Sequence, residues 1–333
     1  MNPSAKIYVA GHRGLVGSAL MRKLLADGFT NLVVRTHAEL DLIDPQAVRG
    51  FFEQEQPEYV FLAAALVGGI LANSTCPAEF IGQNLPIQMN VIHQAYRAGV
   101  KRLLFLGSSC IYPKNAPQPI KEEYLLTGPL EPTNRPYAVA KISGIEMCWA
   151  YNQQYGTRFL AAMPTNLYGP GDRYDLHDAH VIPALIRKMH EAKASGADQA
   201  VLWGTGTPRR EFLHSDDAAE ACVFLMKLKE EKLDTLIANE HLPPIINIGC
   251  GKDLTVEELA KLIADVVGFK KKIVFDATKP DGTPRKLLDT SCLTAWGWNP
   301  RIPLREGLIT AYKDFTERSA CASEPRPVST GAV

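Results

Sequence analysis

Tyr137 and Lys141 stand four residues apart in the run RPYAVAK. On a helix that spacing sets both side chains on one face. A free phenol titrates at about 10 and exchanges protons poorly at neutral pH. An ammonium held beside it favours the phenolate, which makes Tyr137 a usable acid or base. A third group comes from upstream, where LLFLGSSC, residues 103–110, reads as an apolar strand ending in hydroxyls and a thiol. The carboxyl ends of parallel strands open on the ligand crevice, so these side chains emerge where chemistry can take place. There Ser108 can polarise the same carbonyl that Tyr137 protonates.

A phosphate-binding turn precedes this set. Gly11, Gly14 and Gly17 give G-x-x-G-x-x-G between an apolar strand, 6–10, and a helix carrying Leu15, Ala19, Leu20 and Leu24. Glycines there permit the tight turn, the approach of backbone to a pyrophosphate, and close packing of helix on strand. The helix N-terminus adds free N–H groups and partial positive charge. Arg13 lies inside the turn and can reach an adenosine ribose. After the second strand, where an NAD-selective chain would place an acidic residue, Arg35-Thr36-His37 stands, with the first carboxylates at Glu39 and Asp41. Cations without an opposing carboxylate favour a 2′-phosphate, hence NADP.

These groups need a scaffold to hold them. Strands are predicted at 6–10, 32–35, 59–65, 101–108 and 157–164, alternating with helices at 15–24, 45–54, 85–98 and 137–155. Apolar strands alternating with helices indicate a doubly wound α/β fold, a parallel sheet of Rossmann type covered on both faces. The second half predicts helices at 181–194, 215–229 and 255–268 and strands at 200–204 and 245–248, with Thr255 and Glu258 as a capping box. That texture suits a smaller mixed α/β substrate lobe. The expected division is a cofactor domain over 1–175 and the lobe over 176–318, with segments near 212–218 and 245–250 returning to the first. The Ser/Ala/Pro-rich stretch 319–333 has little to bury and is expected to be disordered.

The chain has 333 residues, enough for such a two-part body. Lys plus Arg equals Asp plus Glu at 36 each, so no global field gathers nucleic acid or an anionic membrane. The seven scattered cysteines contain no Cys-x-x-Cys pair, which argues against a zinc site or a disulfide framework. A glycine turn so near the start leaves no room for a signal leader, and no apolar run approaches the ~20 residues of a membrane span. The expectation is a cytoplasmic enzyme without a metal.

The segments GHRGLVGSA, FLGSSCIYPK, LEPTNRPYAVAK, MPTNLYGP, HVIPALIRK, WGTGTPRREFLH and KPDGTPRKLLD occur in this order. From about Lys6 to Tyr312 the chain thereby resembles the extended short-chain dehydrogenase/reductases, and among them the GDP-L-fucose synthase group. That group epimerises GDP-4-keto-6-deoxymannose at C3 and C5 and then reduces C4 with NADPH. The resemblance implies Cys110 as the base and His180 as the acid of epimerisation. It implies that Tyr137 protonates the C4 oxygen, that Lys141 tunes Tyr137 and holds the nicotinamide ribose, and that Ser108 orients the ketone. A thiol suits the role of base, provided a nearby cation favours the thiolate.

By the same resemblance the cofactor cradle takes in Gly11, Arg13, Gly14, Leu15, Val16, Gly17, Arg35, His37, Asp41, Leu42, Leu106, Gly107, Ser108, Lys141 and His180. Pro164-Thr165-Asn166-Leu167 belongs to it beside the nicotinamide. The nucleotide end of the substrate falls to Lys188, Trp203, Arg210 and Asp281. Two positions depart from the family pattern: His37 replaces a frequent Arg and Asp41 a frequent Asn, which leaves more of the NADP selectivity to Arg13 and Arg35. Family members pair as homodimers through a four-helix bundle, for which 85–98 and 137–155 are the candidate helices. Two rival readings are a nucleotide-sugar 4-epimerase with bound NAD and a catalytically inactive cofactor-binding module. The thiol and imidazole disfavour the first, and the complete Ser, Tyr and Lys set the second.

Overall fold

The computed structural model describes residues 1–176, 179–279 and 281–323. Strand β1 (Ile7–Ala10) passes through the glycine turn into helix α1 (Leu15–Ala26). Then come β2 (Leu32–Val33), α2 (Pro45–Glu55), β3 (Tyr59–Leu62), α3 (Ile70–Thr75), α4 (Pro77–Arg97), β4 (Arg102–Leu106), α5 (Arg135–Tyr155) and β5 (Phe159–Pro164). The second half runs β6 (Asn166–Tyr168), α6 (Val181–Ala194), β7 (Gln199–Trp203), β8 (Arg209–His214), α7 (Ser215–Met226), α8 (Glu230–Ile237) and β9 (Ile245–Ile248). It closes with β10 (Asp253–Thr255), α9 (Val256–Val267), β11 (Lys272–Asp276), β12 (Arg285–Lys286), α10 (Ser291–Ala295) and α11 (Leu304–Ser323).

The main sheet has the order β2-β1-β3-β4-β5-β9, parallel throughout. Its strands are buried and mostly apolar because both faces are covered, with Arg102 and Asn247 as the polar exceptions in β4 and β9. Ile7, Val9, Leu104 and Leu160 point to a core shared with Leu20, Leu24 and Val223 of α1 and α7. Their neighbours Tyr8, Ala10, Leu103 and Phe105 point the other way, to Val48, Phe52, Val91 and Ile145 of α2, α4 and α5. The strand order reverses between β1 and β3, so the ligand crevice of such a sheet lies at their carboxyl ends. A third core joins α6, α9 and α11 with Tyr168 and Phe212, and carries β7 paired to β11. The sequence expectation of a doubly wound α/β fold with a smaller mixed lobe therefore holds.

Local signals set some helix ends. Asp44 accepts from Gln46 N at 2.8 Å and caps α2. Thr255 and Glu258 form the expected capping box of α9, and Gly268 closes that helix in the left-handed region at φ 75. Several boundaries differ from expectation, and three of them have a visible cause. Helix α4 begins at Pro77, well before 85, and carries Pro86 inside it. Tertiary contacts outweigh the proline: Asn84 donates to Phe80 O at 2.7 Å and to Leu66 O at 3.0 Å, which ties this helical turn to the loop after β3. Strand β2 stops at Val33, two residues short of Arg35, because Arg35 turns away to pair with Glu55. Helix α11 runs through 319–323, part of the stretch expected to be disordered. Leu308, Ala311 and Phe315 bury one stripe of it in the third core, and the last turns continue from there. The remainder of that stretch, 324–333, lies outside the described residues.

Candidate active site

The turn after β1 shows why glycine is needed at two of its three positions. Gly11 has φ 82, and a Cβ there would sit 2.7 Å from Ala64 N. A Cβ on Gly17 would lie 2.0 Å from Gly11 O, so α1 packs on the turn only without a side chain. Gly14 is less constrained, its Cβ meeting Gly11 O at 3.4 Å. Gly14 is also the N-cap of α1 and supplies no side-chain acceptor, so the N–H groups around Leu15 and Val16 stay available to an anion. This is a cradle that fits a dinucleotide pyrophosphate.

At the ribose end the structure corrects one expectation. Arg35 does face a carboxylate: it pairs with Glu55 and lies over the Phe51 ring at 5.4 Å. Glu55 is twenty residues away in sequence and comes close only because α2 packs beside the end of β2. Arg13 is exposed, and His37 has 82% of its side chain exposed with Asp41 at 3.8 Å, so both side chains face solvent at this end. Leu42 is half-buried beneath them, its carbonyl accepting from Asn90 at 2.9 Å.

The chemical groups gather where β4 ends. Leu106 and Gly107 are buried, and Ser108 caps a short 3-10 turn, its Oγ accepting from Cys110 N at 3.4 Å. Lys141, 3% exposed, donates to Leu106 O at 2.7 Å and lies 4.7 Å over the Phe105 ring and 5.8 Å from the Tyr137 ring centre. Burial pulls its pKa down to about 8, against the pull of a nearby Cys110 thiolate. The Tyr137 phenol is pushed above its ordinary value, by burial first and by Cys110 second, with a hydrogen bond from Ser108 opposing. This differs from the sequence expectation of a phenol lowered by lysine. The ammonium spends a donor on the Leu106 carbonyl, and the cost of burying a phenolate outweighs the remaining attraction.

Cys110 is 6% exposed, and burial raises its thiol. The opposing influences are Lys286 first, then the Ser108 hydrogen bond and Lys141. Sequence reasoning missed Lys286, although it sits inside the quoted segment KPDGTPRKLLD. It stands on β12 opposite Arg210 of β8, and only that pairing brings it to the thiol. Glu211, fully buried, was missed as well. Its carboxylate accepts from Cys250 N at 2.6 Å, Gly251 N at 2.7 Å and Leu288 N at 3.0 Å, which binds β8, the loop after β9 and the residues after β12 into one piece. In the run RREFLH the glutamate stands among other charged residues, so the sequence carried no signal of its burial.

The remaining candidates lie outside this cluster. His180 is the N-cap of α6 and is exposed, yet enough protein surrounds it to hold its pKa below the usual value. Pro164 ends β5; Thr165 N donates to Ile248 O at 2.9 Å and Asn166 Nδ2 to Glu211 O at 3.0 Å, which fixes the strand leading to Leu167. Trp203 is 53% exposed with Lys188 at 5.0 Å and Lys279 at 5.6 Å over its ring. Arg210 donates to Arg209 O at 2.9 Å and lies 3.5 Å from Asp281 O. The Asp281 carboxylate itself accepts from Thr205 N at 2.7 Å and Thr205 Oγ1 at 2.8 Å, so it pins the turn after Trp203. The structure thus brings Ser108, Cys110, Tyr137 and Lys141 into one buried cluster, and Lys188 with Trp203 and Arg210 with Asp281 into two flanking pairs.

The arrangement can bind a dinucleotide, exchange a proton with a carbonyl oxygen and offer a thiol to an acidic carbon. The NAD dependent epimerase/dehydratase family matches residues 7–249. GDP-L-fucose synthase 1 of Arabidopsis thaliana is 59% identical over 318 residues, 96% of this chain and 95% of that protein. The GDP-L-fucose synthase of Escherichia coli is 53% identical over 315 residues, 94% of this chain and 97% of that one. Among solved structures, a GDP-mannoheptose C4 reductase from Campylobacter jejuni with NADP bound superposes with a TM-score of 0.84 at 41% identity, covering 95% of this chain and 99% of that one. The chain belongs to the NAD dependent epimerase/dehydratase family.

Proposed function

We propose that the chain converts GDP-4-keto-6-deoxymannose to GDP-L-fucose with NADPH. The observation that carries this reading is the thiol of Cys110 within the field of Lys286 and Lys141, beside the Ser108 and Tyr137 hydroxyls. A reductase alone needs the hydroxyls and the lysine. A thiol kept among cations adds a base for the acidic C–H bonds beside a ketone. High identity to synthases from a plant and a bacterium supports the same substrate.

The C4 ketone acidifies the protons at C3 and C5. Cys110 as thiolate removes one from one face, and His180 returns one to the other, which inverts the carbon. Ser108 and Tyr137 hold the C4 oxygen by hydrogen bonds and stabilise the enolate that forms. Bound NADPH supplies the hydride that reduces C4. Tyr137 protonates the resulting C4 oxygen, and Lys141, anchored on Leu106 O, keeps that phenol and the nicotinamide ribose in place. The cradle of Gly11, Gly17 and the α1 N-terminus takes the pyrophosphate, with Arg13 and His37 at the 2′-phosphate. Arg210 and Lys188 neutralise the GDP diphosphate, and Trp203 offers its face to the nucleotide.

The assembly and location follow as part of the same reading. Helices α4 and α5 pack together and leave Met89 and Tyr155 exposed on one face, where Tyr96 and Tyr155 stack at 4.3 Å. Two such faces make the four-helix bundle of a homodimer. The enzyme works in the cytoplasm, with 1–175 as cofactor domain and 176–318 as substrate lobe. Incubation with GDP-4-keto-6-deoxymannose and NADPH tests the function: GDP-L-fucose should form with one NADPH oxidised per sugar. Interconversion of UDP-hexoses without NADPH consumption would instead assign a 4-epimerase.

A further inference from the structure

On the reading above, one base and one acid serve two carbons. After the first inversion Cys110 carries a proton and His180 has lost one. The same pair can act on the second carbon only after both are reset. His180 is exposed and exchanges with water directly. Cys110 is 6% exposed, and a sugar seated over it removes what contact with solvent remains. The thiol therefore needs another way out.

A cavity of about 30 Å³ lies against Cys110, lined among others by Lys114, Glu131, Asn134 and Lys286. A buried water needs at least ~10 Å³ and two to four polar partners, and these side chains supply them. The Asn134 Oδ1 is sealed from bulk solvent with no hydrogen-bond partner in the protein, as an acceptor facing an internal water would be. On the same lining Glu131 pairs with Lys114 at 2.9 Å, with 15% and 39% of their side chains exposed. Thiol and carboxylate thus line one cavity large enough for a water, and the carboxylate side chain is partly exposed.

We propose that Cys110 returns its proton to solvent through water in this cavity, with the Glu131 carboxylate as relay. The S–H bond breaks as the water takes the proton, the water passes one on to Glu131, and Glu131 releases it to bulk water. No redox partner is involved. Glu131 touches neither substrate nor cofactor in this scheme and acts only through Cys110. The inference rests on the epimerase reading, and its test separates the two.

The test uses the full chain in deuterium oxide with GDP-4-keto-6-deoxymannose and NADPH withheld. Glu131→Gln keeps the Oε1 acceptor that caps Thr133 but cannot carry the proton. With enzyme in excess, its first exchange event should proceed at the wild-type rate and leave sugar with one deuterium. Exchange at the second carbon and steady-state exchange should fall about tenfold or more. Glu131→Asp, which keeps a carboxylate, should restore most of the steady-state rate. Equal slowing of both events, or double exchange at the wild-type rate, overturns the relay, as does an Asp variant no faster than the Gln variant. Failure of the wild-type protein to take up deuterium at C3 and C5 overturns the epimerase reading itself.

Discussion

At the residue scale the centre is a contest between burial and charge. Burial raises Cys110, and Lys286 is the largest influence pulling the other way. Replacing that ammonium with the similar volume of methionine removes the pull and leaves the burial. In Lys286→Met the thiol pKa should rise by about one unit or more. With the thiolate as the proposed base, the acid limb of the exchange rate at C3 and C5 should move to higher pH by the same amount. NADPH affinity should stay unchanged. Deuterium exchange measured across pH checks this, and an unmoved acid limb would show that Lys286 does not tune the thiol. Tyr137, Lys141 and Ser108 were legible in the sequence from spacing and strand polarity, whereas Cys110 stood out as a base only through the family resemblance. Lys286 was not legible, since a two-residue strand some 176 positions beyond Cys110 delivers it.

At the element scale the same distinction recurs. The strands of the main sheet were legible because two covered faces demand unbroken apolar runs. The early start of α4 was not, because Pro86 reads as a boundary while Asn84 and Phe80, held by distant partners, keep the helix going. The glycine turn makes a graded prediction. Gly17→Ala puts a Cβ 2.0 Å from Gly11 O and must displace α1 from the turn, whereas Gly14→Ala meets the same atom at 3.4 Å. NADPH affinity measured by fluorescence titration should fall more than about tenfold, or 1.4 kcal/mol, for the first and much less for the second. Equal losses would contradict this account of the cradle. Glu211 tests how β8 and β12 are locked. Glu211→Gln must turn an N–H₂ group toward backbone N–H donors and should destabilise the fold by about 2 kcal/mol. The same change should slow epimerisation, because Leu288, two residues after Lys286, loses its tether. Urea unfolding and exchange kinetics read the two effects separately.

At the scale of the whole molecule, the active site opens at the carboxyl ends of the strands, while α4 and α5 cover one face of the sheet. A partner docked on those helices would leave the crevice free. Their outer surface is unusual for one that remains wet: Met89 is 53% exposed and Tyr155 47%, with Tyr96 and Tyr151 packed around Tyr155. Sequence periodicity could not decide whether those side chains faced a core or a partner, since both are apolar, and only the packed structure separates them. A charge at the centre of that face should cost little in the monomer, where Met89 meets water, and much in a dimer, where it would be buried without a partner. Met89→Glu should therefore shift the protein from dimer to monomer in sedimentation at micromolar concentration, with its thermal unfolding in the monomer and its NADPH binding retained. A wild-type chain that sediments as a monomer under the same conditions would remove the bundle from the account. The catalytic cluster would be untouched by that result, because every group in it comes from one chain.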